Sequence, residues 1–232
     1  MKLDQKDTAL LVFSLSAEKE IERKHIFNKN FKKQNTTFFN ILIDQTRCLS
    51  KQSGVDVFWV DEHHQTGKDF STRFTNAFQK LFDAGYKNVV SIGNDCPNLS
   101  VQLLQDAILK LRTKKLVIGP SSDGGVYLLG INRDVFDKKV FLQLPWQTSV
   151  LSKVLESHYD SQKIGFDVLD ELTDLDSEKD ARDYAKNNSG TVLSRYLRVI
   201  IASLKNVFFI FNDFIPSSKR YSYVGLRAPP TV

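Results

Sequence analysis

The stretch Val89-Val90-Ser91-Ile92-Gly93-Asn94-Asp95-Cys96-Pro97 constrains this chain more than any other. Its first four residues are mostly β-branched and end at turn formers, which reads as a parallel strand buried on both faces. Pro97 cannot donate to a sheet ladder, so the strand ends before it. Ser100 then stands as the N-cap of a helix running to about Leu111, with Leu99 and Leu104 placed as a hydrophobic staple around the cap. Asp95 is left beyond the strand's carboxyl end and beside a helix start. Open α/β sheets gather ligand chemistry at such places. Asp95 is the first candidate functional residue.

The same punctuation recurs along the chain. Residues 9–13, 55–60, 116–118, 126–131 and 164–169 read as further strands, and helical spacing predicts helices over 36–51, 70–84 and 148–159. The charged segment 17–24 also favours helix, with its acids and bases spaced for intrahelical pairs. Gly85 suits the C′ position after the helix over 70–84. Ser177-x-x-Asp180 is a capping box. A chain of 232 residues accommodates one domain with a sizeable core. That domain is expected over residues 1–188, because Asn187-Asn188-Ser189-Gly190 breaks the pattern. Residues 189–232 form a C-terminal extension expected to pack on the domain or on a second copy, giving a possible homodimer. Charged and amide residues interrupt its apolar run over 192–215, so it is a poor membrane span. Arg198, Lys205 and Asn212 would share one helical stripe, yet 207–211 fits a strand equally well.

Three motifs carry a family resemblance: Gly93-Asn94-Asp95-Cys96-Pro97, then Gly119-Pro120-Ser121-Ser122-Asp123-Gly124-Gly125-Val126-Tyr127-Leu128-Leu129-Gly130, then Trp146-Gln147-Thr148. In this order and spacing they resemble a largely uncharacterised bacterial family of GT-A-like transferases, some known as radical-SAM/selenodomain-associated transferases. The resemblance runs over roughly residues 65 to 185. It implies a nucleotide-diphosphosugar-transferase fold: a three-layer α/β sandwich on a mainly parallel sheet, with 126–131 as its antiparallel or irregular member. The activity expected on this basis is metal-dependent glycosyl transfer from a nucleotide-sugar. Nucleotidyl transfer on the same fold is the alternative.

Candidate roles follow from the motifs and their chemistry. Asp95 and Asp123 are the candidate catalytic acids. Asp176 lies where the broader fold carries a second metal ligand, so Asp95 and Asp176 are the expected holders of Mg²⁺ or Mn²⁺, ions that prefer oxygen ligands. Arg73, Gly93, Asn94, Gly124, Gly125, Trp146 and Thr148 are expected to bind substrate. The Gly124-Gly125 pair would let backbone approach a ligand closely. Ser14, Arg23 and Lys24 follow the first strand and are expected to meet the nucleotide. In the resembling family this place holds a loop of the type Pro-x-Pro-Gly-x-x-Lys-Thr-Arg-Leu. Here proline and glycine are missing, and Arg23 and Lys24 are the cations expected to serve in place of that loop. That departure keeps open a non-catalytic descendant that binds a ligand or a protein.

Several of these residues have plainer readings. Arg73 fits a phosphate contact or a structural ion pair. Asp123 fits a sugar contact or base, or a turn before two glycines. Trp146 stacks on an acceptor or fills the core, and Asp174 and Asp176 also complement a helix dipole. His63 and His64 are neighbours in a loop and point apart, which disfavours a metal site. Cys96 reads as a small buried residue rather than a nucleophile. The net charge of +5 favours anionic partners, and nucleotides fit. Nucleic acid does not, since the basic residues are scattered and no recognisable motif accompanies them. Cys48 and Cys96 are the only cysteines, which excludes a disulfide framework and a cysteine zinc site. The first residues show no signal-peptide core, so the cytoplasm is the expected compartment.

Overall fold

The computed structural model of the chain describes residues 7–213, with side chains to residue 203. In chain order the elements are β1 (Thr8–Phe13), α1 (Ala17–Arg23), α2 (Lys32–Lys51), β2 (Asp56–Val60), α3 (Phe70–Asp83), β3 (Asn88–Ile92), α4 (Val101–Lys110), β4 (Leu116–Pro120), β5 (Val126–Asn132), α5 (Lys138–Gln143), α6 (Leu151–Ser161), β6 (Phe166–Val168), α7 (Glu178–Asn187) and α8 (Val192–Asp213). The strands form one six-stranded sheet in the order β2-β1-β3-β5-β4-β6. β5 runs antiparallel to both its neighbours, and the other pairings are parallel. The cause is the short link between β4 and β5. A parallel crossover needs about a dozen residues or more, and residues 121–125 allow only a hairpin.

The expected three-layer sandwich is the observed one. Alternate side chains of each strand enter opposite cores. Ala9 and Leu11 of β1 join Val89 on one face, covered by Phe78 of α3, Phe141 of α5 and Leu155 of α6. Leu10, Val12, Val90 and Ile92 face the other way, against Leu104 and Ile108 of α4. A third cluster joins Ile21 of α1, Phe39 and Leu42 of α2 and Ala181 of α7 to Leu193 and Leu197 of α8.

Local signals act as their chemistry requires. The Ser100 hydroxyl accepts from Leu103 N–H at the start of α4. Gly85 adopts a φ of 105° just beyond α3, in the left-handed region where glycine carries no Cβ penalty. Ser177 caps α7, and Asp180 accepts from the Ser177 hydroxyl and from the Asp176 N–H, closing the box one residue early.

The structure departs from the sequence reading at three places. The helix expected over 148–159 begins later: α6 starts at Leu151 without a side-chain cap, and the Thr148 hydroxyl donates to Pro145 O at 2.7 Å, across a turn that holds Gln147 at a φ of 60°. The six-residue helix α5 was hidden in a short mixed segment, and Asp137 caps it. Residues 207–211 continue α8 rather than forming a strand. The side chains of Lys205 and Asn212 lie outside the described residues. Among the described residues, no helix is long and apolar enough to cross a membrane.

Candidate functional site

β1, β3, β4 and β6 point the same way, so their carboxyl ends share one edge of the sheet. The segments beyond them meet around a cleft of about 420 Å³. Of the residues singled out in the sequence, Ser14, Arg23, Lys24, Arg73, Gly93, Asn94, Asp95, Asp123, Gly125, Trp146, Thr148 and Asp176 line this cleft. Gly124 does not.

Lys24 organises the electrostatics. It closes α1 in an extended conformation, with its N–H donating to Glu20 O. Its ammonium lies 3.4 Å from Asp95 Oδ2 and also donates to Asp176 Oδ1. Burial opposes the lysine's charge, but Asp95 and Asp176 outweigh it and raise its pKa well above the ordinary lysine value. The sequence led to Mg²⁺ or Mn²⁺ being expected between Asp95 and Asp176; in the structure the two carboxylates both contact the ammonium of Lys24.

The Asp95 loop is fixed from both sides. Leu175 N–H donates to Asp95 O at 2.8 Å, tying the segment after β3 to the one before α7. Buried Leu175 separates Asp174 from Asp176 in an extended segment, so both acids reach the cleft. Burial, then the nearby Asp95 charge, push the Asp174 carboxyl up to about 7. Burial also raises Glu20. The Cys96 thiol is raised by burial first and then by Asp174 and Asp95, so it is held protonated and is no thiolate nucleophile.

Across the cleft, Asp123 serves the hairpin between β4 and β5. Its Oδ1 accepts from Ser121 Oγ at 2.7 Å and from Gly125 N–H at 2.8 Å. Gly124 has a φ of 88°, and a Cβ on it would stand 1.9 Å from Ser149 O. Its lack of a side chain therefore serves packing against the 147–149 segment, not the approach of a ligand. Trp146 combines its two readings. It packs edge-on to Phe74 at 4.9 Å and donates to Phe141 O at 2.6 Å, while one side still faces the cleft. Phe13, Phe70 and Phe74 extend this apolar wall.

Three buried polar atoms in the lining residues find no hydrogen-bond partner among the described residues: Arg73 Nε, Asn94 Nδ2 and Asp174 Oδ1. Such groups are rarely left unpaired in a folded protein, because each carries its full desolvation cost.

Sequence reasoning missed Asp174, Gln65 and the aromatic wall as parts of the site. Asp174 had a usable signal, the alternation Asp174-Leu175-Asp176 in a segment without helical spacing. Gln65 donates to Ser14 O and Val60 O, bracing the ends of β1 and β2; its polar stretch and its likeness to the family's segment marked it without showing this role. His63 and His64 stay outside the cleft; His64 pairs with Asp61 at 2.6 Å.

The sheet order, the reversed β5 and the cleft at the strand ends make up a fold of the GT-A-like, nucleotide-diphospho-sugar-transferase type. Residues 46–148 match the family described as an uncharacterized protein conserved in bacteria (DUF2064). No curated protein matches the chain. Among solved structures, a proposed nucleotide-diphospho-sugar transferase from Desulfovibrio desulfuricans G20 is 22% identical, with a TM-score of 0.74 over 86% of this chain and 97% of that one. The 4-diphosphocytidyl-2C-methyl-D-erythritol synthase of Anaerococcus prevotii DSM 20548 is 10% identical, with a TM-score of 0.48 over 75% of this chain and 90% of that one. A manganese complex of Rv0371c from Mycobacterium tuberculosis H37Rv is 15% identical, with a TM-score of 0.45 over 76% of this chain and 97% of that one.

Proposed function

We propose that the cleft is the donor site of a glycosyltransferase acting on a nucleotide-sugar. One observation carries this reading: two unpaired buried donors, Arg73 Nε and Asn94 Nδ2, and one unpaired buried acceptor, Asp174 Oδ1, line the cleft that also holds Arg23 and Lys24. Donors beside cations suit phosphate oxygens, and an acceptor suits a hydroxyl of ribose or sugar. A sugar nucleotide offers both within one molecule.

In this reading an acceptor hydroxyl attacks the anomeric carbon of the donor. The carbon–oxygen bond to phosphate breaks, and the nucleoside diphosphate leaves with the bonding electrons. Lys24 and Arg73 stabilise the charge that develops on it. The acceptor's proton passes to Asp123, whose Oδ1 is engaged by Ser121 and Gly125, leaving Oδ2 for this role. The aromatic wall of Phe70, Phe74 and Trp146 would hold the acceptor's apolar face. The expected Mg²⁺ or Mn²⁺ between Asp95 and Asp176 does not fit this donor set, because Lys24 already contacts both carboxylates.

The test is a thermal-shift panel of nucleotides and sugar nucleotides, run in EDTA and in Mg²⁺ or Mn²⁺. At about 100 times its dissociation constant, a true ligand adds about 2.7 kcal/mol to the folded state. Stabilisation by a sugar nucleotide, followed by release of nucleoside diphosphate with an acceptor, supports glycosyl transfer. Release of pyrophosphate from a nucleoside triphosphate would instead assign nucleotidyl transfer. A broad panel without any stabilisation would leave the non-catalytic binding reading in its place.

A further inference from the structure

We infer that Lys24 takes the place of a bridging divalent ion, so that the Asp95–Asp176 pair holds an internal ammonium and binds no metal. The two carboxylates come from segments 71 and 152 residues away from Lys24 in the chain, yet both reach its Nζ. A divalent ion bridging them would need oxygens about 2.0–2.6 Å away. At that distance it would lie against Nζ, and two like charges would compete for the same two carboxylates. The ion enters only by expelling the lysine.

The lysine is not a mobile surface residue that drifted into place. Its side chain is only 24% exposed, against 35% for Asp95 and 49% for Asp176. Its ammonium also stands 6.0 Å from the centroid of the Phe39 ring, within cation–π range. Its backbone closes α1, a helix whose buried Ile21 packs into the same cluster as Phe39. Among the described residues, no group of three His, Cys, Asp or Glu side chains is arranged to hold a metal. The consequence for donor binding rests on the proposed function: the phosphate meets the remaining protons of Nζ rather than a hydrated ion.

The inference is tested with the full chain and Mn²⁺ alone, following free Mn²⁺ by electron paramagnetic resonance. The wild type should bind no stoichiometric Mn²⁺, whereas Lys24→Met should gain one ion per chain with an affinity at least about tenfold tighter, because the competing charge is gone. Adding Asp95→Asn to Lys24→Met should remove that gain. One Mn²⁺ per wild-type chain, bound as tightly as by Lys24→Met and lost in Asp95→Asn, would overturn the inference. So would a folded Lys24→Met protein that gains no ion. A nucleotide panel that fails while the Mn²⁺ result holds would remove the donor reading and leave the lysine assignment intact. A wild-type Mn²⁺ site with sugar-nucleotide turnover would do the reverse.

Discussion

Two glycines of the motifs around the candidate site, Gly93 and Gly124, look interchangeable in the sequence and are not. A Cβ on Gly124 would meet the backbone oxygen of Ser149 at 1.9 Å, in a conformation with φ of 88°. A Cβ on Gly93 would meet only Asp95 Oδ1, at 2.8 Å, the far end of a side chain that can rotate. Gly124→Ala is therefore expected to cost at least about 2 kcal/mol in urea unfolding, from overpacking and left-handed strain together. Gly93→Ala should change stability by less than about 1 kcal/mol while turning the Asp95 carboxylate away from Lys24 and weakening nucleotide binding. Equal destabilisation by the two substitutions would contradict this assignment. The sequence marked both residues through their motifs, and it marked Asp95 and Asp123 through their places beside strand ends. It did not reveal what each residue touches. Gly124 is tied to Ser149, and Lys24 to Asp95 and Asp176, only through the fold.

At the scale of elements, α1 is the piece that carries the cations, and it is anchored through its N-cap. Glu62, two residues beyond β2, accepts from Ser16 N–H at 2.9 Å and Ser16 Oγ at 2.5 Å. Burial disfavours the Glu62 carboxylate, but the two bonds from Ser16, a backbone N–H and His63 outweigh it and hold its pKa below the ordinary 4.5. A carboxyl with a lowered folded-state pKa adds stability at neutral pH. That contribution fades as pH falls from the unfolded value through the folded one. Glu62→Gln should therefore be less stable than the wild type at pH 7, and the gap should close as pH falls below 4.5. Urea unfolding at several pH values checks this, and a gap independent of pH would show that the carboxylate's charge is not what anchors α1. The helix itself was legible from its composition. Its anchor was not, because Glu62 sat in a polar stretch that pointed toward no particular partner.

Over the whole molecule, the sequence carried most of the architecture. Buried strands announce themselves by continuous β-branched runs; the reversed strand was expected only from the family resemblance, and the five-residue link at 121–125 is its physical cause. The motifs led to Asp95, Asp123 and Asp176 being expected in one site; what the sequence could not carry was the place of Lys24 between Asp95 and Asp176, which depends on how the segments beyond β1, β3 and β6 meet. In the proposed function this edge receives the diphosphate of a sugar nucleotide at Lys24 and Arg73. Phosphorus-31 NMR of a panel of sugar nucleotides, in EDTA and with substoichiometric protein, tests that placement. Both diphosphate resonances of at least one donor should broaden and shift with the wild type, and Lys24→Met and Arg73→Ala should each reduce the effect. Diphosphate resonances that stay unchanged across the panel, or respond equally with wild type and both variants, would contradict that placement.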